Sequence, residues 1–545
     1  MSQELNKTFK NRIVYQIYPL SFKDSNNDGY GDLQGIISKL DYLKQLGIGM
    51  IWLSPIYEST MKDNGYDIVD YYKINPLFGT MDDFKELIEE AEKRDIKIVM
   101  DLVINHTSTD HIWFKEALKD PNSKYRNYYY FRKGKNSKKP PNNWNTSFSG
   151  SAREKIDGED NIYYLHLYTK EQADLNYHNE EVIKEVENIL EYYLKMGVYG
   201  FRCDVINQIY KTSLKDGKFR LFNRGKEYYE SQKENFEILS RFRKVLDKYN
   251  AFFVGETSNI TPDVANKFLS TRGLDMFFEF DHSFCDMNKF IPIFRKKFRP
   301  KNLINPVLKW QSLVPWIGVY LENHDQRRSV TRYGNEGKYY IESAKALCMF
   351  LLTLKGTPFI YQGEEIGMTD CHSFTLNDLD DCLTKSGIKT AKSILHLSDE
   401  KLFELANKTI NRDNARTPFQ WNKSENAGFN EGCKTWLKVN ENYTNGINVE
   451  DEIKDNNSIL NFYIKMINYR NNSEILKFGD FKRLKANKNI AKFERNYNGN
   501  KLIVIINLSS KRINNDFDSN KIIFFTDAKI TKNILEPYQG IILKE

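Results

Sequence analysis

The sequence has no long apolar run. Its longest, "ALCMFLLTL" at 346–354, is too short to span a bilayer. The opening stretch, "MSQELNKTFKNRIVYQIY", lacks the apolar centre of a signal peptide. A cytoplasmic protein that does not touch membranes is expected. Cysteine is scarce, with six in 545 residues, at 203, 285, 348, 371, 382 and 433. No two have the spacing of a paired-ligand metal site, and Cys203 and Cys348 sit inside apolar stretches. Free thiols in a reducing compartment follow. Charge of one sign is missing too: 80 basic residues face 73 acidic ones, a net +7. The local basic run "RKGKNSKK" (132–139) stands beside Pro and Asn like a solvated loop, so no nucleic-acid partner is expected.

What is present is a length for two or three domains and an aromatic share of 14%, with 33 Tyr. Rings of this kind stack on sugars in clefts, although most serve as core. Short β-branched and aromatic runs recur at 13–18, 50–56, 96–105, 200–206, 251–257, 275–280, 316–323 and 357–363. Amphipathic helical patterns separate them, as in 33–47, 81–95 and 180–197, the first and last stopped by Gly47 and Gly197. Eight strands alternating with helices predict an α/β protein. Eight is also the number that closes a (β/α)8 TIM barrel, with a doubly wound open sheet as the alternative. The barrel begins in residues 1–105. A loop-rich insert, 106–174, follows the third strand and includes "KPPNNWNTSFSG". The barrel resumes over 175–472, and 473–545 read as a C-terminal antiparallel β domain.

Acids collect where these strands end. Asp101, with Asn105 and His106 beyond it, closes the third; Arg202 and Asp204 close the fourth; Glu256 the fifth; and "ENHDQRR" (322–328) the seventh. Each alone reads as an ordinary surface carboxylate. Together they mark the catalytic face of a barrel. Arg202 and Asp204 are two apart, so both point to one side of the strand. Glycoside hydrolysis uses such a set: one carboxylate attacks or activates water, and another is kept protonated for the leaving oxygen. Arg202 is expected to keep Asp204 ionised, which leaves Glu256 as the acid.

At these residues the chain resembles the α-amylase family of retaining glycoside hydrolases. "DLVINH", "GFRCDVIN", "FFVGET" and "ENHD" are similar to its four signature segments, and "QADLN" (172–176) to a fifth, with Ala173 where Pro is usual. The resemblance implies Asp204 as nucleophile, Glu256 as acid/base and Asp325 as transition-state stabiliser. It places Arg202, His106 and His324 around the cleaved glucose. "NGYDIVDY", "YQGEEIGMT" and "NRDNARTPFQW" resemble the oligo-1,6-glucosidase and α-glucosidase branch. By that likeness Asp67 and Arg412 grip the terminal glucose, Tyr66 stacks beneath it, and Tyr168 stands where relatives tend to have Phe. Val205 is the position the branch links to α-1,6 bonds. An exo-acting monomer that takes short oligosaccharides is implied. Trehalose-6-phosphate hydrolase, with Arg327 for the phosphate, and sucrose isomerase or transglucosidase remain open. A non-enzymatic amylase-like module does not suit a complete acid set.

In "DSNNDGYGD", Asp24, Asn26, Asp28, the Tyr30 carbonyl and Asp32 match EF-hand positions 1, 3, 5, 7 and 9, but Gly35 replaces the last Glu. A polar Asx turn is the plain reading. The resemblance favours a structural Ca2+, or Mg2+, and no organic cofactor.

Overall fold

Alternation with period two builds the barrel. The computed structural model describes residues 9–136, 139–148, 150–220, 223–288, 294–526 and 529–545. The first eight residues of the opening stretch, two residues of the basic run 132–139 and one of "KPPNNWNTSFSG" lie outside the described residues. The eight expected strands are β1 (Val14–Ile17), β2 (Met50–Leu53), β3 (Lys97–Leu102), β4 (Gly200–Cys203), β5 (Phe252–Glu256), β6 (Met276–Phe278), β7 (Gly318–Val319) and β8 (Thr357–Tyr361). They pair in parallel and in order, and β1 pairs with both β2 and β8, so the sheet is a closed barrel. That excludes the open doubly wound sheet.

Register decides what fills the barrel and what crowns it. Val14, Met50, Val99, Phe252 and Phe359 pack together inside, with Trp52, Val254, Met276 and Phe278. Gly200 makes room for this layer, because a Cβ there would lie 2.4 Å from the Phe252 carbonyl and 2.5 Å from its ring. Two residues further along the strands, the inward positions become Gln16, Asp101, Arg202 and, on β5, Glu256. The polar crown is thus the same side-chain column as the apolar plug, continued upward.

Between β3 and β4 the chain leaves the barrel. It departs as His106–Ser108 and returns as Gln172–Asp174, and these two strands pair antiparallel. Phe131–Lys133, Ile162–Leu165 and Arg153–Lys155 form a three-stranded sheet in between. After β8, the helices Cys382–Leu395 and Asp399–Asn407 pack as a hairpin around Ile388, Leu402 and Phe403. Sequence reading did not separate this hairpin, which turns out to serve the site.

The expected helix 33–47 is two helices, Leu33–Ile37 and Leu40–Leu46. Ser38 Oγ bonds the Gly35 carbonyl at 2.6 Å and competes with the helical ladder there. At the C-terminus, the five-stranded antiparallel sheet runs in the order 480–483, 490–497, 500–507, 540–544, 522–525. Its first strand, Asp480–Arg483, has no alternating pattern and forms because Ile490–Tyr497 lies beside it. Two buried arginines gather main-chain carbonyls at the joint with the barrel, Arg495 in this sheet and Arg470 in the preceding helix Ile459–Asn471. Arg495 donates to the carbonyls of Thr353, Leu476, Gly479 and Asp480, and Arg470 to those of Leu352, Leu354 and Gly356. Among the described residues, no helix is long and apolar enough to cross a membrane.

Candidate active site

A cavity of about 810 Å³ opens at the C-terminal end of the barrel, within the size range of small-ligand sites. Its floor is the polar crown. Arg202, 3% exposed, reaches three carboxylates: Nη1 lies 2.8 Å from Asp101 and 2.9 Å from Asp204, and Nη2 lies 2.5 Å from Glu256. The Trp52 ring packs against the guanidinium at 5.0 Å. Arg202 therefore does not single out Asp204 as the sequence led us to expect. The β4–β5 register sets Arg202 opposite Val254, so Glu256 is within reach of the same fork.

One cation cannot neutralise three acids, two of them buried and Glu256 partly so. Burial lifts Asp101 to about 6 even with Arg202 beside it. Burial, then the charge of Glu256, pushes Asp204 well above the usual carboxylate range. Crowding of like charge around one guanidinium thus favours the protonated forms of Asp101 and Asp204.

Asp325 behaves differently. Burial works against its charge, but the guanidiniums of Arg412 and Arg416, each 2.9 Å from Oδ1, prevail and hold the carboxyl below its usual range. His324 is kept neutral by burial, with its own value lowered to about 3. Gln16 and the Tyr66 hydroxyl meet its two ring nitrogens at 2.8 and 2.7 Å. Tyr66 stacks on His324 with ring centroids 5.4 Å apart and also bonds Asp101. His106 lines the cavity beside Gln172, at 3.1 Å. Tyr168 lines it too and donates to Gln208 at 2.9 Å.

Asp67 is not in the cavity. It is fully buried and accepts bonds from Ser59, Thr60 and the Asp63 amide. The carboxylate that faces the cavity is Asp63, which accepts from Gln172 at 3.1 Å and from the Cys382 thiol at 3.2 Å and lies 3.4 Å from Arg412. Asn64 and Gly65, with φ of 47° and 102°, turn the chain back between the two acids. That turn aims Asp63 at the pocket and Asp67 into the protein.

Arg412 spans the end of the cavity from Asp325 to Asp63, with the Phe148 ring at 5.6 Å. Asp381 holds it in place. This fully buried carboxylate caps the helix Cys382–Leu395 and bonds Arg412 Nε at 2.8 Å. Breaking such a buried pair costs about 3–5 kcal/mol. Asp381 carried no motif signal, since its partner is 31 residues away. Arg327 is turned away from the cavity, bonding Asp370 at 2.5 Å and the Lys408 carbonyl. It lines a separate hollow of about 410 Å³.

Val205 does face the cavity, in the left-handed region at φ 38°, ψ 39°. A β-branched residue held there stores about 1–3 kcal/mol. The conformation points the Val205 amide at Glu256, 3.3 Å away.

The loop "DSNNDGYGD" offers an all-oxygen donor set of the kind hard cations take. Asp24 accepts the Asn27 and Gly29 amides, Asp28 the Tyr30 amide, and Asp32 the Ser25 and Gly35 amides. Asn26 accepts the Asp28 amide. Among the described residues no three His, Cys, Asp or Glu side chains are grouped to hold a metal ion. The carboxylates keep further lone pairs, so the donor chemistry suits a cation although the present grouping is that of an Asx-rich turn.

The sequence profile of the alpha amylase catalytic domain matches residues 16–479. An oligo-1,6-glucosidase of Parageobacillus thermoglucosidasius is 45% identical over 521 residues, 92% of this chain and 91% of the relative. A crystal structure of Bacillus licheniformis trehalose-6-phosphate hydrolase superposes with a TM-score of 0.92 at 38% identity, over 98% of this chain and 99% of that one. An isomaltulose synthase from Klebsiella sp. LX3 gives 0.93 at 35% identity, with the same two coverages.

Proposed function

We infer the reaction from one premise: the chain belongs to the α-amylase family and is a glycoside hydrolase. The function best supported is an exo-acting oligo-1,6-glucosidase that removes terminal α-linked glucose from short oligosaccharides such as isomaltose in the cytoplasm. The observation that carries the exo reading is the Asp63–Arg412–Asp325 chain, which walls one end of the cavity. A sugar with a chain continuing past its non-reducing end has no path there. The linkage rests on the likeness to the Parageobacillus enzyme and on Val205 at the cavity wall.

In this reading Asp204 attacks the anomeric carbon and Glu256 gives a proton to the departing oxygen. Glu256 then takes a proton from the water that hydrolyses the glycosyl ester. Asp325, held ionised by two guanidiniums, binds sugar hydroxyls and steadies the positive charge at the transition state. Tyr66 and Tyr168 offer faces for the ring.

The test is glucose release from isomaltose, sucrose, maltose, trehalose and trehalose 6-phosphate. Isomaltose should give the highest kcat/KM. A preference for trehalose 6-phosphate would overturn this reading in favour of a second one, which Lys309 at the cavity mouth supports as a cation for a phosphate.

The metal belongs to the same proposal. Asp24, Asn26, Asp28, the Tyr30 carbonyl and Asp32 would hold a structural Ca2+, or Mg2+, whose contribution is to bind the loop together. Prolonged chelation should lower the melting temperature while isomaltose hydrolysis continues below it. Immediate loss of catalysis in the cold would show that the ion is not merely structural.

A further inference from the structure

The protein treats its buried arginines alike, with one exception. Arg202, Arg328, Arg332, Arg412 and Arg416 meet carboxylates, and Arg470 and Arg495 meet rows of backbone carbonyls. Arg153, in the insert, is 3% exposed, and neither Nη1 nor Nη2 has a hydrogen-bond partner. Its Nε donates to Asn142 at 3.2 Å, and the Trp144 ring lies 5.5 Å from the guanidinium. Both are weak counterparts for a full buried charge.

Among the described residues no carboxylate makes up the difference. Asp174 is the acid that acts on Arg153, and it is already paired with the fully buried Lys211 at 2.6 Å. Two cations therefore share one anion inside the protein. A third donor is close by. The Leu165 amide bonds the Tyr130 carbonyl, and Leu165 stands opposite Arg153 in the sheet, so Tyr130 flanks the same place. The Lys211 main-chain amide reaches the buried Tyr130 hydroxyl oxygen, and the hydroxyl's own proton has no acceptor.

We propose that a small monovalent anion of the halide type binds beside Arg153 within the insert, with the Tyr130 hydroxyl as a neighbouring donor. Neither residue lines the substrate cavity, so the site is distinct from catalysis. The anion neutralises the buried excess and ties the sheet strand Arg153–Lys155 to the chain around Tyr130. The competing occupant is an ordered water. His166 favours it: Nδ1 faces the Tyr168 carbonyl at 3.2 Å, which leaves the unpartnered Nε2 as an acceptor that a water, but not a halide, would satisfy.

Two measurements on the full chain separate the occupants. Crystals grown or soaked in sodium bromide should show an anomalous peak at Arg153 Nη1 and Nη2. In solution, chloride should raise the melting temperature saturably over gluconate at equal ionic strength, by about 2 °C or more. Arg153→Met should abolish that difference. Density without anomalous signal, together with equal melting in the two salts, means water and overturns the proposal. So does a chloride effect that persists in Arg153→Met, which would be a general surface effect. If the variant does not fold, the bromide crystals of the unaltered protein decide alone.

Discussion

Asp204→Asn should leave a folded protein whose turnover on isomaltose falls by more than about a thousandfold, some 4 kcal/mol of lost transition-state stabilisation. The fold survives because the change removes one negative charge from three that share a single guanidinium. Arg202 keeps Asp101 and Glu256, so no buried cation is stranded. Turnover does not survive, because an amide cannot form the glycosyl ester and no other carboxylate holds this position. Circular dichroism and the melting temperature check the first claim, and glucose release by a preparation free of contaminating glucosidase checks the second. Residual activity above about a thousandth of wild type would remove Asp204 from the nucleophile's role.

Glu256→Gln should separate the two halves of the reaction. The amide keeps the size and the contact with Arg202 but has no proton to give. A poor leaving group then stays attached, while an aryl α-glucoside of an acidic phenol needs no help and still loads Asp204. The glycosyl ester waits, because nothing activates water. We expect a burst of phenol close to one equivalent of enzyme, then turnover slowed by about two to four orders of magnitude. Azide should restore the second step, since it attacks without a base. Two inversions leave the glucosyl azide in the α configuration. Isolation of the β anomer would mean a single displacement and would reassign both carboxylates.

The barrel was legible because period-two runs set the strands, and the same parity carried the inward column from Val99 to Asp101 and from Phe252 to Glu256. Residues whose placement follows from a strand's register could be read from the pattern itself. Tyr66, Asp325 and Arg412, which line the cavity from outside the strands, were found through the family resemblance alone. Asp63 and Asp67 are four apart in one motif, and only the turn at Asn64–Gly65 decides which faces the cavity. Asp381 is invisible for a related reason: its task is to hold Arg412, and the pairing exists only once the helical hairpin packs after β8. Arg202 was read as the partner of one acid because sequence shows neighbours along a strand, not across to the next.

Arg495 in the C-terminal sheet and Arg470 in the helix before it bear on how this chain can change over time. On the barrel side, Arg470 and Arg495 recognise carbonyls of residues 352–354 and 356, so these bonds follow the path of the main chain and not the side chains of that stretch. Substitutions along that stretch answer to the barrel's own packing and leave these bonds as they were. The polar half of the joint is concentrated in two positions, beside the packing of Phe524 on Phe462 and Tyr469, and a sheet of foreign sequence grafted in its place would need to bring its own counterpart of Arg495.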